Sequence, residues 1–342
     1  MTGSVSPIRP APGAPAEGAV EAGYGLTFER AMPRDLVHKA AIEQVLLTDL
    51  KPLGDDEFAF AAQLPRAHRL FNDTEHGLHD AMAILEAGRQ GVTLGVHELA
   101  RVPRESQFVL GELSLTVHDR EGLRVGPEPT RLVGHSLTSD WRYIKGELVS
   151  LRLGGDVYLD GRPVMAIAGM GGFMNDRMYR LLRRRQRPRG DFQPGPGPAD
   201  AALPREVGRR DPANVVITPP VAPDGDPRRL RAQVVVNQTH HTFFDHPLDH
   251  VPAMLLVEAM RQAAVASAAG AIGLDPGAAV VTRCRAAYGR YAELEPAIGC
   301  DVDLEEPESA DGATTVTARL TMSQLGKQLG EGTLELAFPG GS

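Results

Sequence analysis

One polar triplet occurs twice in this chain, each time inside an otherwise apolar segment. Residues 81–90 read Ala-Met-Ala-Ile-Leu-Glu-Ala-Gly-Arg-Gln, and residues 253–262 read Ala-Met-Leu-Leu-Val-Glu-Ala-Met-Arg-Gln. Both segments predict helices, on which a glutamate, an arginine three positions later and a glutamine four positions later share one face. An apolar helix is buried in a protein core, and a buried charge is costly unless it is paired or its pKa moves. The triplets are therefore candidates for catalysis.

The glutamates of the triplets, Glu86 and Glu258, are candidate general bases, because burial raises the pKa of a carboxyl group towards neutrality. The neighbouring Arg89 and Arg261 could hold the carboxylates ionised or bind a substrate phosphate with their fork of donors. The alternative is structural, since a Glu–Arg pair can neutralise itself inside a core. The two copies are separated by a constant offset of 172 positions. This offset indicates duplication of one fold and leaves open whether both copies are active.

The segment that precedes the second predicted helix is rich in polar groups. Residues 240–252 contain four histidines, two aspartates and Pro252, which suits the first turn of a helix because proline lacks an N–H there. Asp249 or His250 is expected to cap the helix. The backbone N–H groups of residues 251–254 are candidates to bind an anion or a thioester carbonyl oxygen. The spacing of the histidines and aspartates matches no compact zinc pattern, so no metal site is predicted.

The composition argues against several classes of function. A formal net charge of −8 with 5% aromatic residues argues against nucleic acid as the main partner, and no run of about 18 apolar residues predicts a membrane span. The two cysteines, Cys284 and Cys300, indicate neither a disulfide framework nor a metal site. Residues 1–30 lack the pattern of a signal peptide, so they predict a disordered leader and a cytoplasmic protein.

The remaining chain predicts two similar series of strands, each with one long helix. The helices are expected at 79–99 and 251–270, and hairpin turns at Asp160-Gly161 and at Gly326. Strands are predicted at 41–47, 57–64, 107–118, 146–153 and 164–169 in the first series, and at 215–218, 229–236, 279–288, 300–304, 314–322 and 333–338 in the second. This order is typical of an α+β fold in which an antiparallel sheet wraps around a central helix.

A basic stretch separates the two series. Residues 177–189 contain seven arginines and lead into the Pro- and Gly-rich residues 190–198. The arginines could dock an acidic partner protein or attract phosphate, but a solvated linker is the simpler interpretation. Residues 176–204 are therefore predicted to be a basic and Pro/Gly-rich linker.

The sequence around the second triplet resembles the A-factor biosynthesis (AfsA-type) hotdog family. The similarity is most specific at residues 243–262, Phe-Phe-Asp-His-Pro-Leu-Asp-His-Val-Pro-Ala-Met-Leu-Leu-Val-Glu-Ala-Met-Arg-Gln, and it includes residues 37–49 and 207–217. The first repeat departs from the family pattern with Ala81 in place of proline, and the second with Ala253 in place of glycine. These departures affect the starts of the two central helices.

The resemblance implies a tandem (double) hotdog whose halves, residues 35–175 and 205–340, pack as a pseudo-dimer within one chain. Family members condense a 3-oxoacyl group, carried as a thioester on acyl carrier protein, with the hydroxyl group of dihydroxyacetone phosphate. The product is the precursor of a γ-butyrolactone signal. No cofactor is implied beyond the acyl substrate linked to the carrier protein or to CoA.

The resemblance also implies roles for residues of both repeats. Glu86, Glu258 and Arg261 are expected to be catalytic. The residues expected to bind substrate are Arg89, Gln262, Asp249, His250 and His246. Because the second repeat has the fuller motif, one principal site is expected at Glu258 and Arg261, in a cleft to which Glu86 contributes from the other helix. The opposite pocket is expected to be vestigial or to seat the carrier arm.

Three rival functions have different support in the sequence. Hotdog dehydratases have a catalytic histidine fourteen positions before the helix glutamate, but this register holds Phe244 and Asn72 here, which argues against dehydration. A thioesterase stays open, because water could replace the alcohol at the same site. A non-catalytic regulatory double hotdog also stays open, although both triplets are intact.

Overall fold

Each half of the chain places one long helix against antiparallel strands. The computed structural model describes residues 23–187, 192–310 and 312–339. The first half comprises β1 (Leu47–Pro52), β2 (Glu57–Leu64), α1 (Ala81–Glu98), β3 (Gln107–Val117), β4 (Thr130–Ile144), β5 (Glu147–Leu159) and β6 (Arg162–Met174). A short helix, α2 (Asp176–Gln186), follows directly. The second half comprises β7 (Arg229–Gln233), α3 (Ala253–Ile272), β8 (Val280–Tyr288), β9 (Ile298–Leu304), β10 (Glu308–Ala310), β11 (Ala313–Gln324) and β12 (Lys327–Pro339).

These strands form one twelve-stranded sheet in which every described pairing is antiparallel. The strand order is β1-β2-β4-β5-β6-β3-β8-β12-β11-β9-β7, and β10 pairs with β11 outside this path. β3 and β8 join the halves, with Glu112 opposite Ala287 and Thr116 opposite Arg283. From this junction outwards, the order β3-β6-β5-β4-β2 matches β8-β12-β11-β9-β7. The matching order confirms the predicted tandem hotdog and its pseudo-two-fold symmetry.

The two long helices are buried because they are apolar on nearly every side. On α1, Gly91 and Gly95 face the rings of Phe60 and Phe58 in β2, and a Cβ atom at Gly91 would lie 2.6 Å from the Phe60 ring. The missing side chains let the helix approach the sheet closely. α3 packs against β9, β11 and β12 and ends at Gly273, whose left-handed backbone (φ 67°) stops the helix.

α3 is long and apolar enough to cross a membrane by length and composition alone. Most of the helix is buried inside the fold, and the core helix of a globular protein passes the same test. No other helix in the described parts of the chain meets that criterion. The cytoplasmic location stays a prediction.

The predicted bounds agree with the structure for both central helices and several strands. α1, α3, β2, β3, β8 and β9 lie within two residues of their predicted bounds at each end. The strand predicted at 41–47 is wrong, because a 3₁₀ turn occupies Ile42–Gln44 and β1 begins only at Leu47. The sequence does not predict β4. The second half of this strand is polar and largely exposed, so it lacks the alternation of apolar and polar residues that indicates a strand.

Two connections also differ from their predictions. The strand expected at 215–218 is reduced to an isolated bridge at Ile217. Residues 176–204, predicted as a linker, begin with the ordered helix α2, so this segment is not solvated along its whole length. Residues 1–22 of the predicted leader and residues 188–191 of the predicted linker lie outside the described residues.

Candidate active site

Glu86 lies in a buried cluster of donors in the first half. Its carboxylate accepts hydrogen bonds from Nε and Nη2 of Arg89, both at 2.8 Å, and from Nε2 of Gln90 at 2.8 Å. Nζ of Lys39 lies 3.0 Å from the same carboxylate. Glu86 is 3% exposed, so its charge is balanced by protein groups rather than by solvent.

The second half repeats this arrangement around Glu258 with a bulkier cation. Arg261 and Gln262 donate to Glu258 at 2.7–2.8 Å, as their counterparts do in the first half. Nε and Nη2 of Arg209 add hydrogen bonds of 3.0 and 2.8 Å, and Nη1 of Arg209 lies 2.8 Å from Asp80. The side chains of Arg209 and Glu258 have no exposed surface. The second triplet therefore belongs to a network of ion pairs that is buried in the protein core.

Two short 3₁₀ turns position the additional cations. Arg34–Val37 and Pro204–Val207 are each followed by one residue in the left-handed conformation and then by Lys39 or Arg209. The two cations thus occupy equivalent positions in the two halves. The sequence alone assigns no role to Lys39 or Arg209, although both repeats contain a basic residue two positions after a valine.

The glutamines of the triplets hold the helices to the neighbouring backbone. Gln262 donates to the carbonyl of Asn214 at 2.7 Å and accepts from the N–H of Val216 at 2.9 Å. Gln90 makes the equivalent pair of bonds in the first half. Gln262 is fully buried and saturated by these partners. This burial contradicts its predicted contact with substrate, and we describe it as a structural residue.

Both glutamates are held as carboxylates in the folded protein. Burial alone would raise the pKa of Glu86, but the charges of Arg89 and Lys39 and the hydrogen bonds outweigh burial, so the pKa is lowered. Burial likewise opposes the lowering of the pKa of Glu258, which Arg209 and its other donors bring about. The direction is opposite to the one expected for a base. A saturated carboxylate of low pKa is a poor proton acceptor, which corrects the predicted role of the glutamates.

A cavity of about 750 Å³ opens beside the first triplet and is lined by both halves. Its polar part includes Lys39, Glu86 and Arg89 from the first half, with His246 and His250 from the second. Its apolar part lies between α1, β3 and β6, and the walls there include Leu85, Gly88, Val92, Phe108, Ile167 and Phe173. The predicted site residues Arg89, His246 and His250 are thus brought together in one cavity.

The second triplet does not face this cavity. Glu258 and Arg261 are absent from its lining residues, and they are 0% and 6% exposed. The expectation that these two side chains line a cleft between the halves is therefore wrong. The cavity lies at the first triplet, where Glu86 and Arg89 line it, and not at Glu258 and Arg261, where the sequence predicted the principal site.

Two differences between the halves leave space in front of Glu86. Lys39 stands where the second half has Arg209, and lysine lacks the planar guanidinium that bridges two carboxylates there. Pro252 stands where the first half has Asp80, the second partner of Arg209. A lysine and a proline thus replace a bulky buried ion pair on the side where the cavity lies.

The start of α3 is an uncapped helix end at this cavity. Asp80 caps α1 by accepting the N–H of Met82 at 2.9 Å, whereas Pro252 forms no side-chain cap on α3. Ala253 and Met254 occupy the first turn, where N–H groups have no acceptor within the helix. Both residues line the cavity, so these donors are available to a bound oxygen atom.

Asp249 and His250 hold α2 and do not cap α3, which corrects the predicted cap. Asp249 accepts hydrogen bonds from the hydroxyl of Tyr179 and from Arg183 of α2, and Nδ1 of His250 lies 2.8 Å from Asp249. Arg183 is buried and also donates two hydrogen bonds of 2.7 Å to Glu293. α2 is thereby docked on the second half and contributes residues to the cavity wall.

The described residues contain no cluster of metal-ligating side chains. Within residues 23–187, 192–310 and 312–339, no group of three or more His, Cys, Asp or Glu side chains could hold a metal ion. Burial raises the pKa of Cys284 to about 12. Burial, and to a smaller extent the charge of Asp301, also raises the pKa of Cys300 to about 12. Neither thiol is therefore readily deprotonated to a nucleophilic thiolate. That the reaction needs no cofactor stays a prediction.

The fold and the site define a tandem hotdog protein whose halves share one cavity with an apolar and a charged part. The family model for the A-factor biosynthesis hotdog domain (AfsA) matches residues 26–174 and 193–338. The chain belongs to this family.

Known relatives agree with this assignment. The chain is 32% identical over 281 residues to a 2-oxo-3-(phosphooxy)propyl 3-oxoalkanoate synthase of Streptomyces virginiae, covering 82% of this chain and 89% of that protein. It is 31% identical over 293 residues to the synthase of the same name from Streptomyces griseus, covering 86% and 91%. A solved structure described as an oleoyl thioesterase from Lactobacillus plantarum shares the fold, with a TM-score of 0.50 and 12% identity over 82% of this chain and 95% of that one.

Proposed function

We propose that this chain is an acyltransferase that moves a 3-oxoacyl group from a thioester to the hydroxyl group of dihydroxyacetone phosphate or a similar three-carbon alcohol. The product would be a 2-oxo-3-(phosphooxy)propyl 3-oxoalkanoate, the compound that appears in the names of both Streptomyces relatives. This ester would be the precursor of a γ-butyrolactone signal, as the family resemblance implies.

The main support for this proposal is the combination of an apolar and a charged part in one cavity. An acyl chain needs apolar walls, and a phosphate needs cationic donors. Lys39 and Arg89 bring two positive charges to the carboxylate of Glu86, while Asp245 lies on the same wall and interacts with Arg89. Arg290 also lines the cavity and is exposed, and no carboxylate of the described residues pairs with it. We assign Arg290 to the phosphate.

The transfer can proceed directly between the two substrates. A bond forms between the hydroxyl oxygen and the thioester carbonyl carbon, the C–S bond breaks, and the hydroxyl proton ends on the departing thiol. The tetrahedral oxyanion would accept hydrogen bonds from the N–H groups of Ala253 and Met254, where the positive end of α3 adds to the stabilisation. The lack of a cap on α3 leaves these donors for the substrate.

An acidic acyl carrier protein is the acyl donor that the surface of α2 favours. Arg177, Arg184 and Arg185 are exposed on this helix, while its inner face contributes to the cavity wall. A basic surface next to the entrance of a site attracts an acidic partner and aligns it. The carrier protein would thus dock where its acyl arm can enter the cavity.

Incubating the purified chain with a 3-oxoacyl thioester, with and without dihydroxyacetone phosphate, tests the proposed function. We expect mass spectrometry to show the phosphorylated ester only when dihydroxyacetone phosphate is present. Release of free acid at the same rate in both mixtures would identify a thioesterase instead. Binding of the thioester without turnover would identify a non-catalytic double hotdog.

A further inference from the structure

Asp245 and His246 form a hydrogen-bonded pair on the cavity wall, outside both triplets. Nδ1 of His246 lies 2.7 Å from Oδ1 of Asp245. The other carboxylate oxygen of Asp245 accepts the backbone N–H of Ala40 at 2.8 Å, which ties this pair to the opposite half of the chain. The side chain of Asp245 is 4% exposed and that of His246 is 39% exposed. A buried carboxylate therefore orients a ring that reaches the cavity.

This geometry fixes the tautomer of His246. An ionised carboxylate only accepts hydrogen bonds, so Nδ1 of the ring carries the proton and Nε2 keeps its lone pair. Nε2 has no hydrogen-bond partner among the residues that the structure describes. A neutral imidazole oriented in this way can accept a proton from an attacking hydroxyl group.

Glu86 and the other histidines that line the cavity are engaged with other groups. Glu86 is ionised and saturated by its donors. Nε2 of His38 lies 2.8 Å from Nε2 of His97, and burial, followed by nearby charges, lowers the pKa of His38 to about 4. His250 shares Asp249 with the side chains that dock α2. Nε2 of His250 also has no described partner, but the side chain of His246 is the more exposed of the two, 39% against 21%.

The side of the second triplet has no equivalent of His246. Asp73 stands at the position of Asp245, and it accepts a backbone N–H from the other half in the same way, from Arg210 at 3.1 Å. The next residue, however, is Thr74. The imidazole is thus present on the side where the cavity lies and absent from the side that Arg209 closes.

We propose that His246 is the general base of the acyl transfer and that Asp245 is its positioning residue. This inference rests on the proposed function. Nε2 of His246 takes the proton of the substrate hydroxyl as the oxygen attacks the thioester carbonyl carbon and the new C–O bond forms. When the C–S bond breaks, the imidazolium returns the proton to the departing sulfur. The carboxylate of Asp245 stabilises the imidazolium between these two steps.

The variant His246→Ala tests this role against a matched control. We expect kcat to fall about 10²-fold or more, the usual scale for losing a general base, with an unchanged thermal unfolding curve because the ring is partly exposed. Added imidazole should restore part of the rate, which it would not do for a purely structural residue. Thr74→Ala, the same change at the equivalent position of the other half, should keep the wild-type kcat.

The pH profile of kcat gives a second readout. The other charged or titratable residues that line the cavity with Asp245 and His246 are Arg34, His38 and Lys39 before β1, Glu86 and Arg89 on α1, Arg104 and Glu105 before β3, His250 before α3, Tyr288 at the end of β8, and Arg290 and Tyr291 after β8. The ion cluster of Lys39, Glu86 and Arg89 keeps its charges in mild acid, and His38 stays neutral there. We expect the wild-type rate to fall as the pH is lowered, because a protonated imidazole cannot act as a base, and this acid limb to disappear in His246→Ala.

The outcomes of these experiments distinguish a failure of the His246 assignment from a failure of the proposed function. If His246→Ala keeps the wild-type kcat, or loses it with no response to imidazole and an unchanged acid limb, the assignment of His246 is overturned. If the wild type hydrolyses the thioester without forming an ester, the proposed function fails, and the same variants then test His246 on the hydrolysis rate. A wild type that shows neither reaction refutes both.

Discussion

Arg209 has a guanidinium group where its counterpart Lys39 has an ammonium group. This guanidinium group fills the space beside the second triplet. It bonds to Glu258 and Asp80 together and also donates to the carbonyl of Leu70. The compact ammonium of a lysine cannot span such a set of acceptors with fixed geometry. At the scale of single residues, two differences, Lys39 in place of Arg209 and Pro252 in place of Asp80, thus separate the triplet that faces the cavity from the buried one.

Replacing Arg89 by alanine should reduce activity more than the same change at Arg261, the reverse of the order expected from the sequence. Arg89 lines the cavity, whereas Arg261 does not. We expect kcat/KM to fall by about tenfold or more for Arg89→Ala, the scale of one lost charge-assisted contact. Steady-state kinetics on the folded variants measure the difference. A larger loss at Arg261 would return the active site to the second triplet.

Arg209→Ala should destabilise the protein strongly, because it leaves Glu258 and Asp80 buried without their shared cation. Removing one partner of a buried ion pair costs about 3–5 kcal/mol of the free energy of unfolding. Urea unfolding measures this loss. The control is Arg69→Ala, since Arg69 is 66% exposed and 3.8 Å from its partner Asp211, and an exposed pair contributes at most about 1 kcal/mol. Equal effects would show that the network adds little stability.

At the scale of elements, the helix α2 has one buried face and one exposed basic face. Its arginine-rich composition does not distinguish the two. Tyr179 and Arg183, one helical turn apart, point into the second half and contact Asp249 and Glu293. The remaining arginines described on this helix are exposed. Because one face is anchored by a buried ion pair, the other face is held in place beside the cavity.

Arg183→Ala should release α2 from the second half. The buried carboxylate of Glu293 would lose its strongest partner, so trypsin should cleave within residues 176–186 faster than in the wild type. KM for the acyl thioester should rise, because Leu182 of this helix lines the cavity. Leu181→Ala, at an exposed position of the same helix, should change neither the cleavage rate nor KM. Unchanged proteolysis in Arg183→Ala would contradict the anchoring role.

For the whole molecule, buried histidines predict a loss of stability in mild acid. Burial, as the largest cause, lowers the pKa of His38, His68 and His240 to about 4. Nδ1 of His68 and of His240 accepts backbone N–H groups, which requires a neutral ring. In the unfolded chain these rings take up protons near pH ~6.5. The unfolded state therefore binds more protons between the two values, and the free energy of unfolding falls as the pH falls.

Urea unfolding at about pH 7.5 and about pH 5 measures this effect. We expect each of the three histidines to contribute up to about 2 kcal/mol to the loss at the lower pH. His240→Asn, which keeps a polar side chain without a titrating ring, should show a smaller difference between the two conditions than the wild type. Equal stability of the wild type at both pH values would contradict the prediction.

The sequence by itself determined the two central helices, their polar triplets and the tandem organisation. These features follow from patterns within a single segment, such as the apolar run around Glu258 or the Asp160-Gly161 turn between β5 and β6. Such patterns depend only on residues that are close together in the sequence, so the sequence alone predicts the helices and strands that they form. The repeated offset then indicated that one fold occurs twice.

Only the tertiary structure decided which triplet faces the cavity, in which direction the glutamate pKa values move, and which ring is free to accept a proton. Each of these depends on groups that are distant in sequence and meet across the pseudo-two-fold axis. Asp245 reaches Ala40 over 205 positions, and Arg209 of the second half pairs with Asp80 of the first. A pKa or a cavity is set by everything packed around a group, and no single stretch of sequence contains that information.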